Sequence, residues 1–469
     1  MGQHSAGIVV ALVGLFACAC GGDDSSPGGG SGGASGGAAG SGASSGSGGS
    51  SGSGASSGSG GSSGSGASSG SGGAAGGGTG GTGAVSGCVP KSSGWITDAA
   101  DHPEPSLPSL PSAGSRVADP TFGTEVIRIT DGGDGSECVN AYSYWPTFNA
   151  NSTRLFLNCS SGSKLYDFDP TTATASNKRS LFAKSTPDGT NLNWEDAVWS
   201  NLEPDVLYSH DTVKLWKYDV SSGAYTLVKD FGSLTGSGHV RQMSMSADDT
   251  VFGFTQQDAN WNATGALAWR ASDDKVLLQQ SQPGLDEVQV DKSGKWLVIK
   301  TGKQGAGAIE VRVADLQTQG LVDLTDDGPD FSPGHSDNGN GIVVGADNWT
   351  NRLTFRTLVA PKQLTSVLEL KDDWTQDFHV SMRAKDESQV LVSFYQSTAH
   401  TTGLFHNEII QVTTDGSQKW RRLAHHRSDY ADYWDSPRAN ISQDGCFVAF
   451  TSTWGSSGRR DVFVLNLSK

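Results

Sequence analysis

Tyr433-Trp434-Asp435-Ser436-Pro437-Arg438-Ala439-Asn440-Ile441-Ser442-Gln443-Asp444-Gly445-Cys446-Phe447-Val448-Ala449-Phe450-Thr451-Ser452 is the stretch that decides the fold. Asp444-Gly445 supplies the positive-φ positions of a short hairpin. The run Phe447–Phe450 behind it has the length and composition of a strand buried on both faces. After a loop, Asp461-Val462-Phe463-Val464-Leu465-Asn466-Leu467 reads as a further strand. The unit is strand, tight turn, strand, loop, strand. It cannot cover its own apolar faces, so it requires copies of itself to stack against.

Working outward, the chain supplies them. Asn149-Ala150-Asn151-Ser152 precedes Arg154–Leu157, Ser246-Ala247-Asp248-Asp249 precedes Val251–Phe254, and Asp291-Lys292-Ser293-Gly294 precedes Trp296–Ile299. Third strands follow at Lys164–Asp169, Lys214–Asp219, Glu310–Asp315 and Glu408–Val412, and a fourth at Tyr225–Val228. The period is roughly 45 residues, the spacing of propeller blades. Seven units are predicted, with inner strands beginning near Tyr142, Asp196, Arg241, Glu287, Ser336, His379 and Arg438. The last unit lacks room for a fourth strand. Thr124–Thr130 precedes the first unit and is the spare strand that closes the ring, which removes two sheet edges. The fold class expected is all-β, a seven-bladed β-propeller over residues 122–469.

The amino-terminal quarter is different. Ile8–Ala17 is an apolar run too short for a permanent transmembrane helix, and Leu15-Phe16-Ala17-Cys18 resembles a bacterial lipoprotein processing box. Residues 1–20 are therefore expected to be a signal peptide, with lipidation at Cys18 or alternatively Cys20. Residues 21–87 are nearly all Gly, Ser and Ala, a composition expected to form a disordered tether. Residues 88–121, rich in Pro, Ser and Asp, read as an irregular lead-in. No acidic residue directly follows either cysteine, which favours an outer-membrane location in the cell envelope, with contact to the membrane through the lipid anchor only. The formal charge of −16 argues against nucleic acid as a partner. Outside the signal, Cys88, Cys138, Cys159 and Cys446 suggest two disulfides in an exported chain. Of three pairings, Cys138–Cys159 across one hairpin and Cys88–Cys446 are expected.

The Ser/Asn-x-Asp-Gly turn between apolar strands resembles the TolB-type, WD40-like propellers of the bacterial envelope. Gly334-His335-Ser336-Asp337, Gln376-Asp377-Phe378-His379-Val380-Ser381 and Tyr433–Ser442 resemble, more narrowly, the oligogalacturonate-lyase group. That resemblance implies a metal on the axis, manganese or calcium, held by His335, Gln376 and His379. The family pattern is Gln-x-x-His-x-His, and Ser381 stands where its second histidine belongs.

In a propeller, inner-strand starts converge on the central channel. Here they bring Tyr142, Tyr144, Trp194, Glu195, His239, Arg241, His335, Asp337, Gln376, His379, Tyr433, Trp434, Asp435 and Arg438. A lyase acting on a uronic acid must neutralise the carboxylate before an α-proton can leave. Arg241 and Arg438 are candidates for that role or as bases, and His239 is a further candidate base. Tyr144, Glu195, Asp337, Tyr433 and Trp434 are candidate ligand contacts. His425-His426 reads as a surface turn. The function expected is binding of an acidic oligosaccharide at the central face. The alternatives are a polysaccharide lyase working by β-elimination and a non-catalytic scaffold for an envelope protein.

Overall fold

The computed structural model describes residues 89–90, 96–192, 197–282, 284–301, 311–323, 333–347, 351–358, 363–370, 376–396 and 403–468. The signal peptide, the lipidation cysteines, the Gly/Ser tether, Cys88, Trp194 and Glu195 lie outside them.

Within each turn the first side chain explains the motif. Asn149 Oδ1 accepts Arg154 N at 2.9 Å, Ser246 Oγ accepts Val251 N at 3.0 Å, Asp291 Oδ1 accepts Trp296 N at 2.9 Å, and Ser442 Oγ accepts Phe447 N at 3.0 Å. The fourth residue of each turn is left-handed: Ser152 at φ 57°, Asp249 at 57°, Gly294 at 69° and Gly445 at 75°. A short polar side chain followed by a residue tolerant of positive φ closes each hairpin.

These hairpins build seven antiparallel sheets. The inner strands are Cys138–Val139, Val198–Trp199, His239–Met245, Leu285–Val290, Pro333–Asn338, Gln376–Ser381 and Asn440–Ile441. Seven clusters of buried apolar residues lie one at each interface between neighbouring blades. Ile127, Phe447 and Val464 of the last blade meet Leu155 and Phe168 of the first, so the ring is closed. The protein is a seven-bladed β-propeller.

Closure follows the expected route. Glu125–Arg128 pairs antiparallel with Asp461–Asn466, Val126 opposite Leu465. The last sheet has five strands rather than four, because Arg116–Ala118 pairs with Glu125–Arg128 from outside. The last inner strand is shorter than its sequence implies. Tyr433–Asp435 forms a 3-10 turn capped by Asp432, Pro437 cannot donate to a ladder, and Arg438 is left-handed at φ 40°.

The lead-in is less free than its composition suggests. Ile96 bridges Arg422, Ala100 O accepts Arg422 Nη2 at 2.7 Å, and Trp454 Nε1 donates to Pro108 O at 2.9 Å. It straps the outer edges of the sixth and seventh blades. His425 and His426, read as a surface turn, are instead buried. His425 sits under the strap beside Asp119 and stacks on Phe122.

Cys138 and Cys159 face each other in register and form the expected disulfide, Cα–Cα 4.0 Å. Cys446 is buried and disulfide-bonded; its expected partner, Cys88, is outside the described residues.

Candidate functional site at the channel mouth

The inner strands of the fifth and sixth blades run side by side and bring His335 and His379 together. Their rings stack at 4.2 Å with 20° between planes. His379 stacks in turn on Tyr395 at 5.0 Å, and Tyr395 on Tyr430 at 5.2 Å. Tyr142, from the first blade, meets His379 edge-on at 5.1 Å and Tyr144 at 4.6 Å. Four offset rings thus wall one side of the mouth, a geometry that aromatic quadrupoles favour.

The charges are unevenly satisfied. His335 Nδ1 lies 3.0 Å from Phe378 O and 3.4 Å from Asp377 Oδ1. Asp377 also accepts the Tyr395 hydroxyl at 2.9 Å. Burial disfavours the His335 imidazolium, but Asp377 outweighs it and holds the His335 pKa above its ordinary value. His379 is the opposite case. It is fully buried, and neither ring nitrogen has a hydrogen-bond partner. Burial, with the charges of His335 and Arg438, keeps it neutral, its pKa well below the usual imidazole value.

Arg438 is also buried. Its guanidinium lies 4.6 Å from the Trp434 ring and 5.4 Å from Tyr433, and Nη2 donates to Trp434 O at 3.1 Å. Its Nε has no partner. Among the described residues no carboxylate pairs with it. Left-handed backbone at a non-glycine position, such as its φ of 40°, clusters at functional sites.

A second group faces the channel from the fourth blade. Tyr144 donates its hydroxyl to Glu287 Oε2 at 2.6 Å, and Lys300 pairs with Glu287 Oε1. Burial, with the neighbouring Glu287 charge, raises the Asp286 carboxyl to about 6.

The other expected site residues are distributed as follows. His239 stacks on Trp261 at 4.0 Å, and Arg241 lies 5.8 Å from the same ring, so these two gather at the third blade. Asp337 sits deeper, accepting Met382 N at 2.6 Å and Asn338 N at 2.8 Å, and burial raises it to about 6. Gln376 donates to Leu404 O at 2.7 Å. Sequence reasoning missed Lys300, Asp286 and Tyr395, and gave Asp377 no role. A signal existed for two of them: Lys300 follows the buried run Leu297–Ile299, and Tyr395 follows Val390–Phe394. A polar group ending such a run on a second strand is a channel candidate.

The expected metal donors do not fit an ion in this arrangement. Face-to-face imidazoles direct their lone pairs side by side rather than at one point, while a site needs convergent donors. The bonds of His335 Nδ1 to Phe378 O and Asp377, and of Gln376 Nε2 to Leu404 O, do not involve His335 Nε2 or Gln376 Oε1, the atoms that would face an ion. It is the parallel stacking of the two rings that keeps the donors from converging. Among the described residues no group of three or more His, Cys, Asp or Glu could hold a metal.

With this geometry in place, comparison with solved structures bears on the fold. Its fold resembles that of oligogalacturonate lyases. A manganese complex of oligogalacturonate lyase aligns at 13% identity and TM-score 0.54, covering 75% of this chain and 95% of that one. Oligogalacturonate lyase from Vibrio parahaemolyticus aligns at 10% identity and TM-score 0.55, covering 75% and 96%. At such identities the likeness is one of fold. No family model and no curated protein matches the chain.

Proposed function

We propose that the channel mouth binds an acidic oligosaccharide, with Arg438 receiving a uronate carboxylate. The observation that supports this most is Arg438 itself: a buried guanidinium with an unpartnered Nε, no carboxylate partner among the described residues, and a wholly buried, unpartnered His379 beside it. Removing such groups from water is costly unless a counter-charge and hydrogen bonds compensate. A planar carboxylate matches the guanidinium fork. The Tyr142, Tyr433 and Trp434 faces suit the apolar face of a sugar ring.

β-Elimination is the second reading, and His379 favours it. A neutral imidazole beside a cation that neutralises the substrate carboxylate has the protonation state an α-proton acceptor needs. The likeness to two lyases supports the same reading at the level of fold. In either case the apolar run before Cys18 supports an exported, lipid-anchored protein of the envelope.

Calorimetric titration with oligogalacturonate and with alginate oligosaccharides tests the first reading. Saturable binding that falls at least about tenfold in Arg438→Met is expected, the worth of one charge-assisted pair. Equal affinity in wild type and variant overturns it. Growth of near-ultraviolet absorbance from an unsaturated product, lost in His379→Ala, separates turnover from binding. Flat traces with saturable binding leave binding alone.

A further inference from the structure

The opposite mouth of the channel, where inner strands turn into second strands, carries a site of its own. A cavity of about 360 Å³ opens there, lined by Asn201, Lys292, Arg383, Lys385, Glu387 and Gln443 among others. That volume is at the small end of ligand pockets. The mouth is knit across the ring rather than around it. Asn201 Oδ1, from the second blade, accepts Arg383 Nη2 of the sixth and Gln443 Nε2 of the seventh, both at 2.9 Å. Lys292 Nζ, from the fourth, donates to Ala384 O of the sixth at 2.7 Å.

Three cations and one carboxylate line this cavity, in a protein of formal charge −16. The carboxylate is already used: Glu387 takes Lys292 at 2.8 Å and Asn340 N at 3.0 Å. Outside the lining, Asp337 and Asp249 act on Arg383 through the field of their charges, without an ion pair to it among the described residues. Asp249 accepts Asn201 N at 2.9 Å and Asn201 Nδ2 at 3.0 Å, and Asp337 accepts two backbone amides. Among the described residues Arg383 makes one hydrogen bond, to a neutral amide oxygen, and its buried Nε has no partner. Lys385 is exposed at the entrance. A partly buried guanidinium with spare donors, backed by two lysines, is an anion receptor.

We infer that this second mouth binds a small anion bearing phosphate or carboxylate groups, seated on Arg383 with Lys385 and Lys292 around it. The site lies at the far end of the channel from Arg438 and His379 and does not depend on what they bind.

Titration of the full-length protein with inorganic phosphate and, separately, with citrate tests this. Saturable binding of at least one probe is expected, weakened about tenfold or more in Arg383→Gln, several-fold in the exposed Lys385→Gln, and unchanged in Arg438→Met. The tighter probe identifies the anion class. Circular dichroism establishes that Arg383→Gln is folded, and Lys385→Gln carries the test if it is not. Absence of saturable binding by both probes overturns the inference. So does binding indifferent to both Arg383→Gln and Lys385→Gln, or lost in Arg438→Met instead.

Discussion

Arginines at the seam of the ring, buried or half-buried, and the buried arginine at its hub are treated differently. At the seam, Arg128 donates to Asp461 Oδ2 at 2.7 Å and Pro111 O at 2.7 Å. Arg459 holds Asp461 through two bonds of 2.8 Å. Arg460 reaches Asp435 at 2.7 Å and pairs with Glu137 and Asp432. At the hub, Arg438 has two aromatic faces and a carbonyl. Desolvation penalises every one of these cations. The seam answers with carboxylates from its own chain and so locks the first strand to the last. Among the described residues the hub gives its cation no carboxylate, and the proposed uronate would supply one. On that proposal, who supplies the counter-ion distinguishes structural from ligand-binding charge.

The largest expected effect breaks the seam. Asp461→Ala leaves Arg128 buried without its carboxylate and removes the acceptor of Thr130 Oγ1, which lies at 2.8 Å. A loss of about 3–5 kcal/mol is expected, read from the urea midpoint; a loss below about 1 kcal/mol would show that apolar packing alone holds the seam. Next is the paired Cys138→Ala and Cys159→Ala variant beside that seam. Loss of its short loop closure is expected to cost about 2–4 kcal/mol, measured the same way under oxidising conditions.

Histidines carry the comparison into pH. His425, next to Asp119, is raised above its ordinary pKa because that carboxylate outweighs burial. Its contribution is present below about 6.5 and fades as pH rises through its folded value. His426 is lowered to about 3 by burial, with Nε2 2.8 Å from Phe394 O and Nδ1 accepting Ser428 N at 3.1 Å. Between about 3 and 6.5 the unfolded chain binds a proton that the folded one refuses, so stability from this group is lost as pH falls below 6.5. By pH 5 the loss is about 2 kcal/mol. Thermal melts of His426→Gln at pH 7 and pH 5 should show a smaller difference than wild type; an unchanged difference would remove His426 as its source. The smallest stability effect is expected at the hub. Arg438→Met should fall within about 1 kcal/mol of wild type or be more stable. A loss of several kcal/mol would make Arg438 another structural cation and erase the contrast.

The blades were legible because the chemistry that closes them is local. Asn149, Ser246, Asp291 and Ser442 bond within their own turns, and the residues three positions on need a tolerated φ. The closing strand was legible because Thr124–Thr130, with the β-branched Val126, Ile127 and Ile129, stands spare before the first unit while the last unit is one strand short. Arg116–Ala118 was not, because three residues carry no period and the pairing is made against a neighbour already at the edge. The anchoring of the lead-in was hidden for a related reason: its bonds to Arg422 and Trp454 use carbonyls, which every residue has. At the site, inner-strand starts pointed to Tyr142, His335, His379 and Arg438. They did not reveal Lys300 or Tyr395, whose side chains enter the channel from second strands, where an apolar run hides which end faces the axis. Nor does spacing show that Arg438 lacks a carboxylate among the described residues, since such pairs form across hundreds of positions.

The closing strand also governs how the protein is made. Arg128 and Asp461 are 333 positions apart, so one half of the last sheet emerges early in synthesis and waits for the other until nearly the whole chain is out. Six blades can assemble progressively from local hairpins, but the final latch requires a loop that takes in most of the propeller to close. Until then both free margins of the arc expose unpaired backbone, and the hazard of joining a neighbouring chain is greatest in that interval.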